Sequence, residues 1–125
     1  MTLKFGYERR DWDAAKAEIV RILGDRVRGG RGPITYGELA SKVKSIPLEP
    51  HQYAMFAILG EVSDDEDTVG RGMLSAYVVT AETGIPGAGL FELAEKLGRR
   101  VDDRLAFWVE EIRRVDAAWS GPATA

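Results

Sequence analysis

Apolar positions recur at helical spacing near the start of the chain, and they predict a first helix from Asp11 to about Val27. Asp11 precedes the first periodic residue and is the expected N-cap. The residues that share the apolar face are Trp12, Ala15, Ile19, Ile22 and Leu23. The glycine-rich sequence "RGGRGP" ends this helix.

A second helix is predicted from Tyr36 to about Lys44 because its start has the pattern of a capping box. Thr35 is the expected N-cap, and Glu38 stands at the third helical position, from which its side chain can reach back. This is the clearest helix start in the sequence.

A third helix is expected to begin at Pro50, since proline is favoured in a first helical turn. Two apolar stripes share this helix, one of Met55, Ile58, Leu59 and Val62 and a second of Tyr53, Phe56 and Ala57. Because most of the circumference therefore needs cover, residues 50–62 are predicted to be the most buried helix of the fold. Four acids follow at residues 64–67 without the layout of a calcium-binding EF-hand loop. Ser63 and Glu66 repeat the S-x-x-E pattern, so this stretch predicts another helix start.

Residues 73–80, "MLSAYVVT", have the β-branched and aromatic character of a buried strand. A glycine-rich joint and a short helix up to Gly98 follow, and Asp102 is the expected N-cap of a last helix. The apolar stripe of that last helix consists of Leu105, Trp108, Ile112, Val115 and Trp119. Its middle residues, Trp108 and Ile112, are expected in the core.

These elements predict a small α+β single domain over residues 1–125, with four or five helices, one short sheet, and flexible ends at 1–10 and 120–125. There are no cysteines, which excludes disulfides, thiol nucleophiles and thiolate metal sites. No secretory leader or apolar span is apparent, so a cytoplasmic protein with no membrane partner is expected. The Ala-, Gly-, Arg- and Val-rich composition is typical of a GC-rich bacterial genome.

The formal net charge of −3 conceals an asymmetry. Residues 1–44 carry ten lysines and arginines against six acids, whereas residues 45–125 carry seven against fourteen. Arginines concentrate around the glycine turn in the first part, where guanidinium groups could meet phosphates. A solvated helix end and loop is the alternative interpretation. The candidates for nucleic-acid contact are Arg26, Arg28, Arg31, Tyr36, Lys42 and Lys44.

The glycine-rich joint raises the question of a nucleotide site. Gly84 and Gly89 have the G-x₄-G spacing of a phosphate-binding loop, but Leu90 and Phe91 stand where that loop requires lysine and a hydroxyl residue. The glycine spacing of "GIPGAG" and its proline also fail the dinucleotide fingerprint. Neither familiar nucleotide-binding loop is therefore predicted.

A single carboxylate or other small anion remains a possible ligand of the helix start that follows this joint. Alternatively the joint is purely structural: Gly84 and Gly87 supply positive φ angles and Gly89 allows close packing. The candidate ligand-binding residues are Arg71, Glu82, Gly87, Ala88, Gly89 and Leu90.

Candidate catalytic chemistry is sparse. His51 is the single histidine, and Ser75 lies in no nucleophile elbow. Glu92 and Glu95 are more typical of a solvated helix face than of an acid–base pair. No catalytic residue, metal site or cofactor is predicted, and an enzyme is the least favoured class.

The sequence "TYGELA", Thr35 to Ala40, resembles the winged-helix DNA-binding domain of the alkylguanine-DNA alkyltransferases and alkyltransferase-like proteins. The similarity covers about residues 31–90 and places residues 50–62 at the recognition helix. It implies a winged-helix-like core and a DNA-contacting role for Tyr36. The family's Pro-Cys-His-Arg segment has no counterpart here, which excludes alkyl transfer to cysteine.

Two functional hypotheses follow. One is a winged-helix-like, non-enzymatic module that binds nucleic acid through the basic turn and Tyr36. The other is a protein-interaction or small anionic-ligand module that uses the joint from Gly84 to Gly89. The sequence does not predict an oligomeric state.

Overall fold

Five helices carry most of the chain in the computed structural model, which describes residues 3–120. The helices are α1 Arg9–Arg28, α2 Tyr36–Lys42, α3 Tyr53–Thr68, α4 Ala88–Lys96 and α5 Arg104–Trp119. The strands are β1 Leu3–Lys4, β2 Tyr7–Glu8, β3 Ile34–Thr35 and β4 Val78–Val79. The small α+β domain is thus confirmed, with two short sheets in the described part of the chain instead of one.

The predicted flexible N-terminal end is a β-hairpin from residue 3 onward. β1 and β2 pair antiparallel through a two-residue loop in which Phe5 and Gly6 both have positive φ, as hairpin turns of the I′ type require. The ring of Phe5 stacks on that of Trp12, with 5.2 Å between centroids. This contact holds the hairpin against α1. Of the predicted flexible C-terminal end, residues 121–125 lie outside the described residues.

Helix α1 begins two residues before the predicted start, so Asp11 lies in its first turn and Glu8 is the N-cap. The predicted apolar face is correct, because Trp12, Ala15, Ile19 and Leu23 are fully buried. Within residues 3–120, no helix combines the length and the apolar composition needed to cross a bilayer.

The predicted start of α2 is confirmed, since Thr35 Oγ1 accepts a hydrogen bond from Glu38 N–H at 3.1 Å. The Glu38 side chain does not close the capping box, because its carboxylate pairs with Arg26 at 3.2 Å. The helix ends at Lys42, two residues early. Glu18 then fixes the following loop by accepting hydrogen bonds from the backbone of Lys44 and Ser45.

Helix α3 begins at Tyr53 instead of Pro50 and continues through the acidic segment to Thr68. Ser63 is consequently no N-cap; it is buried, and its hydroxyl group bonds to that of Ser75. One apolar stripe of the helix is buried, as predicted, and consists of Met55, Ile58, Leu59 and Val62. The second stripe is not covered, because Tyr53 is 72% exposed and Phe56 44% exposed.

Residues 73–79 are buried as predicted and Thr80 is half-buried, but the segment is not one strand. Leu74–Tyr77 form a short 3-10 helix, and only Val78 and Val79 pair, in parallel with β3. Side chains replace ladder partners here: Ser63 Oγ accepts from Ser75 N–H, and the Glu111 carboxylate accepts from Met73 N–H at 2.7 Å. These hydrogen bonds let the backbone leave the extended conformation without losing its partners.

Helix α5 is N-capped by Asp103 and not by Asp102, because Asp103 Oδ1 accepts from Ala106 N–H at 3.1 Å. Trp108 and Ile112 are half-buried, which corrects their expected place in the core. The most buried side chains of this helix are Val115 and Glu111, 0% and 1% exposed. The helix is therefore turned so that a carboxylate faces the interior.

Candidate functional site

A cavity of about 570 Å³ opens between the first residues of α2, α3 and α4. We call it the aromatic pocket, since three aromatic rings form one wall and the joint between β4 and α4 forms the other. The residues on which its chemistry depends are Tyr36, Tyr53, Phe56, Glu82, Gly87 and Glu92. The volume lies in the usual range of ligand-binding clefts.

The aromatic wall continues onto an exposed surface. Tyr36 and Phe56 meet edge to face with 6.0 Å between ring centroids. Tyr53 lies beside the ring of Phe5 at 5.3 Å, and Phe5 in turn stacks on Trp12. The wall thus extends from the first residue of α2 to the N-terminal hairpin.

The joint between β4 and α4 is held by backbone hydrogen bonds. Thr80 N–H donates to the carbonyl of Ile85, and Gly84 N–H donates to the carbonyl of Thr80, each at 2.9 Å. Gly84 has a φ of 71°, as predicted, but Gly87 has a φ of −70° and is the N-cap of α4. Gly89 has open space where a side chain would stand, so the expected close packing there is wrong.

Tyr36 joins the two walls of the pocket. Its hydroxyl oxygen accepts a hydrogen bond from Gly87 N–H at 3.2 Å. Burial raises the pKa of the Tyr36 phenol, and the Gly87 hydrogen bond opposes that rise only in part. The phenol is therefore neutral at physiological pH and keeps its own proton to donate.

The charged groups at the aromatic pocket are acidic. Glu82 and Glu92 line it and are exposed, His51 lines it as well, and no lysine or arginine among residues 3–120 does so. Arg71, predicted near the joint, lies elsewhere: it pairs with Glu66 and stacks over Trp119. The structure brings Glu82 to the joint and separates Arg71 from it.

The backbone groups predicted to hold an anion are only partly available. Leu90 N–H donates to the carbonyl of Gly87 at 3.3 Å. Ala88 and Gly89 are exposed at the first turn of α4, and their amides remain the candidates. The two carboxylates on the same cavity disfavour an anion there.

The basic turn is ordered by Arg26. Its guanidinium donates to the carbonyl groups of Gly32 and Pro33 at 2.7 and 2.8 Å and pairs with Glu38. The side chain is only 14% exposed. Arg26 thus fixes the connection between α1 and α2, with its donors directed at the protein.

The other basic candidates, Arg28, Arg31, Lys42 and Lys44, are exposed. Arg28 stacks over Trp119 at 5.2 Å and lies 3.5 Å from an Asp25 carboxylate oxygen. Lys42 lies 4.0 Å from Glu38, and the Lys44 ammonium donates to a backbone carbonyl at 3.1 Å. Arg28, Lys42 and Lys44 thus each have an acidic or carbonyl neighbour within the protein.

Sequence reasoning missed most of the aromatic wall. Tyr53 and Phe56 were assigned to a second buried stripe of α3, and Glu92 to a solvated face. The signal in the sequence was the number of apolar residues in this helix. A helix that is apolar on nearly all sides needs packing partners on every side, and a 125-residue α+β domain has too few other elements to supply them. Tyr36 and Phe5 contact the second stripe but leave Phe56 44% and Tyr53 72% exposed.

Within residues 3–120, no three His, Cys, Asp or Glu side chains converge as a metal site would require. Comparison of the chain with protein-family models, curated proteins and solved structures returned no match. The functional argument therefore rests on the geometry of the aromatic pocket and of the basic turn.

Proposed function

We propose that this chain is a non-enzymatic protein-interaction module that docks a segment of a partner polypeptide on the aromatic pocket. The observation that carries the proposal is the uncovered second stripe of α3, which places Tyr53 and Phe56 on the wall of a cavity of about 570 Å³. Exposed aromatic side chains beside a concave surface are typical of binding sites.

The extent of the surface favours a polypeptide over a small molecule. Phe5 is 47% exposed and continues the surface of Tyr53 beyond the cavity. A small ligand would fill the cavity and leave this extension in water, whereas an extended segment covers both. Aromatic residues are enriched in the centres of such interfaces.

A random peptide library displayed on phage and selected against the full chain tests the proposal. Enriched peptides are then synthesised and titrated by fluorescence anisotropy. We expect Tyr53→Ala and Phe56→Ala each to weaken binding by about tenfold or more, the effect of losing an interface hot spot.

Leu105→Ala is the matched control, because Leu105 is also a large exposed apolar side chain, 57% exposed, but lies on α5 outside the pocket. It should leave the affinity unchanged. Peptides that bind all three variants as tightly as the original chain, or a selection that enriches no peptide, would contradict the proposal.

Nucleic-acid binding by a winged-helix-like core is a second candidate, favoured by the exposed cations Arg28, Arg31, Lys42 and Lys44. A low-salt duplex titration tests it. Binding should weaken steeply with salt, and Arg28→Ala with Arg31→Ala should lower the salt slope by about one per lost phosphate contact. A flat titration at about 10⁻⁴ M protein would exclude this candidate. Under either function, we propose that the protein is bacterial and acts in the cytoplasm.

A further inference from the structure

We infer that the partner segment presents a basic side chain, lysine or arginine, to the aromatic pocket. This inference rests on the proposed interaction function and specifies its chemistry. It depends on three properties of the pocket: the sign of its charge, the rings of its wall, and the exposure of its acids.

The sign of the charge is negative. Glu82 and Glu92 contribute two full negative charges, and no lysine or arginine of the described chain lines the cavity. The first turns of α2, α3 and α4 oppose them with at most about half a positive charge each. The carboxylates outweigh the helix ends, so the pocket attracts a cation.

The rings are suited to a cation and have none in the protein itself. Elsewhere in residues 3–120 the chain places guanidinium groups over aromatic rings at 5.1–5.5 Å: Arg104 over Phe91, Arg99 over Phe107, and both Arg28 and Arg71 over Trp119. No such pair in that part of the chain involves the aromatic wall. A cation from outside can occupy it.

The exposure of the acids keeps the cost of binding low. Because Glu82 and Glu92 are both exposed, a lysine or arginine head beside them remains largely hydrated. The aliphatic stem of the same side chain then covers apolar surface of Phe56 and Tyr53. One long basic side chain thus matches both the apolar wall and the acidic edge, which an acidic or a short polar side chain cannot do.

The test uses four blocked alanine pentapeptides whose central residue is lysine, arginine, norleucine or glutamate. Each is titrated into the ¹⁵N-labelled full chain, and the amide shifts of Gly87 and Gly89 are followed. We expect the two cationic peptides to bind with a Kd about five times lower than that of the norleucine peptide, and the glutamate peptide to bind weakest.

Glu82→Gln with Glu92→Gln should remove the preference for the cationic peptides without abolishing the shifts. Glu95→Gln is the matched control, because Glu95 is an exposed acid of the same helix that does not line the pocket. It should leave the preference intact. Peptides selected on phage against the original chain should also contain lysine or arginine. Peptides selected against the variant with both Glu82→Gln and Glu92→Gln should no longer be enriched in these residues.

Equal binding of the norleucine and cationic peptides, or tightest binding of the glutamate peptide, would overturn the inference while the docking function stands. Shifts from none of the four peptides at roughly 10 mM would overturn it too. The docking function would then be judged by the phage selection and the Tyr53 and Phe56 variants, which require no charge.

Discussion

The hydroxyl oxygen of Tyr36 accepts a hydrogen bond from the backbone N–H of Gly87, and these two residues are 51 positions apart in the chain. Tyr36→Phe removes the acceptor and leaves this N–H without its partner. We expect a loss of about 1 kcal/mol in the free energy of unfolding, measured with urea, and faster hydrogen exchange at Gly87. Tyr53→Phe is the control, since Tyr53 is 72% exposed. Equal exchange rates at Gly87 in Tyr36→Phe and the original chain would contradict the assignment.

Gly24 lies in α1 directly against the indole of Trp119. A Cβ atom at Gly24 would stand 2.6 and 2.8 Å from two ring carbons of Trp119. Gly24→Ala should therefore destabilise the chain even though alanine is the better helix former. In a Trp119→Ala background the same substitution should stabilise by up to about 1 kcal/mol.

Gly60→Ala is the companion measurement, because Gly60 lies inside α3 where a side chain has room. A Cβ atom at Gly60 would stand 4.0 Å from Leu93 Cδ2, an ordinary van der Waals contact. It should stabilise by about 0.5–1 kcal/mol in the original background. Denaturant curves of the original chain, of Gly24→Ala, Trp119→Ala and their double variant, and of Gly60→Ala measure these differences. If Gly24→Ala and Gly60→Ala both raised stability, the contact with Trp119 would carry no energetic weight.

Glu111 is a buried carboxylate that fastens α5 to the segment before β4. It is 1% exposed, accepts a hydrogen bond from Met73 N–H and pairs with Arg99. Glu111→Ala should cost about 3–5 kcal/mol, because it leaves the partners of a buried ion pair uncompensated. The neighbouring Glu110, 72% exposed, supplies the control: Glu110→Ala should stay within about 0.5 kcal/mol of the original stability. Equal melting temperatures of Glu111→Ala and Glu110→Ala would refute this role.

Glu61 makes part of the stability dependent on pH. Desolvation would raise the pKa of its carboxyl group, but hydrogen bonds from Lys4, Trp12 and Lys16 outweigh it and hold that pKa below the ordinary glutamate value. The carboxylate of Glu61 therefore binds a proton more readily in the unfolded chain than in the folded one. The contribution is complete above about pH 4.3 and is lost as the pH falls through the lower pKa of the folded state.

Glu61→Gln should accordingly be less stable than the original chain at neutral pH and should lose less stability on acidification to about pH 3. Urea midpoints at the two pH values measure the difference. Glu95→Gln, at an exposed position, is the control and should lose as much stability on acidification as the original chain. Parallel losses in Glu61→Gln and the original chain would show that the Glu61 contacts contribute nothing.

The helices could be predicted from the sequence because their signals are local. The buried face of α1 follows from the spacing of Trp12, Ala15 and Ile19, and the start of α2 follows from Thr35. The start of α5 shifted by one residue because the side chain of Asp103 caps it in place of that of Asp102.

The segment before β4 could not be predicted because its backbone partners come from distant parts of the chain. Ser63 and Glu111 satisfy its N–H groups, and Trp108 Nε1–H donates to the carbonyl of Ala76 at 2.8 Å. In the sequence Glu111 is indistinguishable from the exposed glutamate beside it. The aromatic pocket was hidden for the same reason, since three separate helix starts enclose it.

The parallel pair of β3 with β4 has consequences for the order of events in folding. Ile34 and Val78 can meet only after the long intervening segment, which contains α2 and α3, has closed on itself, and loop closure costs entropy before the contact repays it. We therefore expect Val78→Ala to accelerate unfolding far more than it slows refolding in stopped-flow experiments, and the reverse would contradict this order. A polypeptide bound in the aromatic pocket would then slow unfolding. It would contact both the aromatic wall and the joint after β4, and these two walls are expected to meet late in folding and to separate early in unfolding.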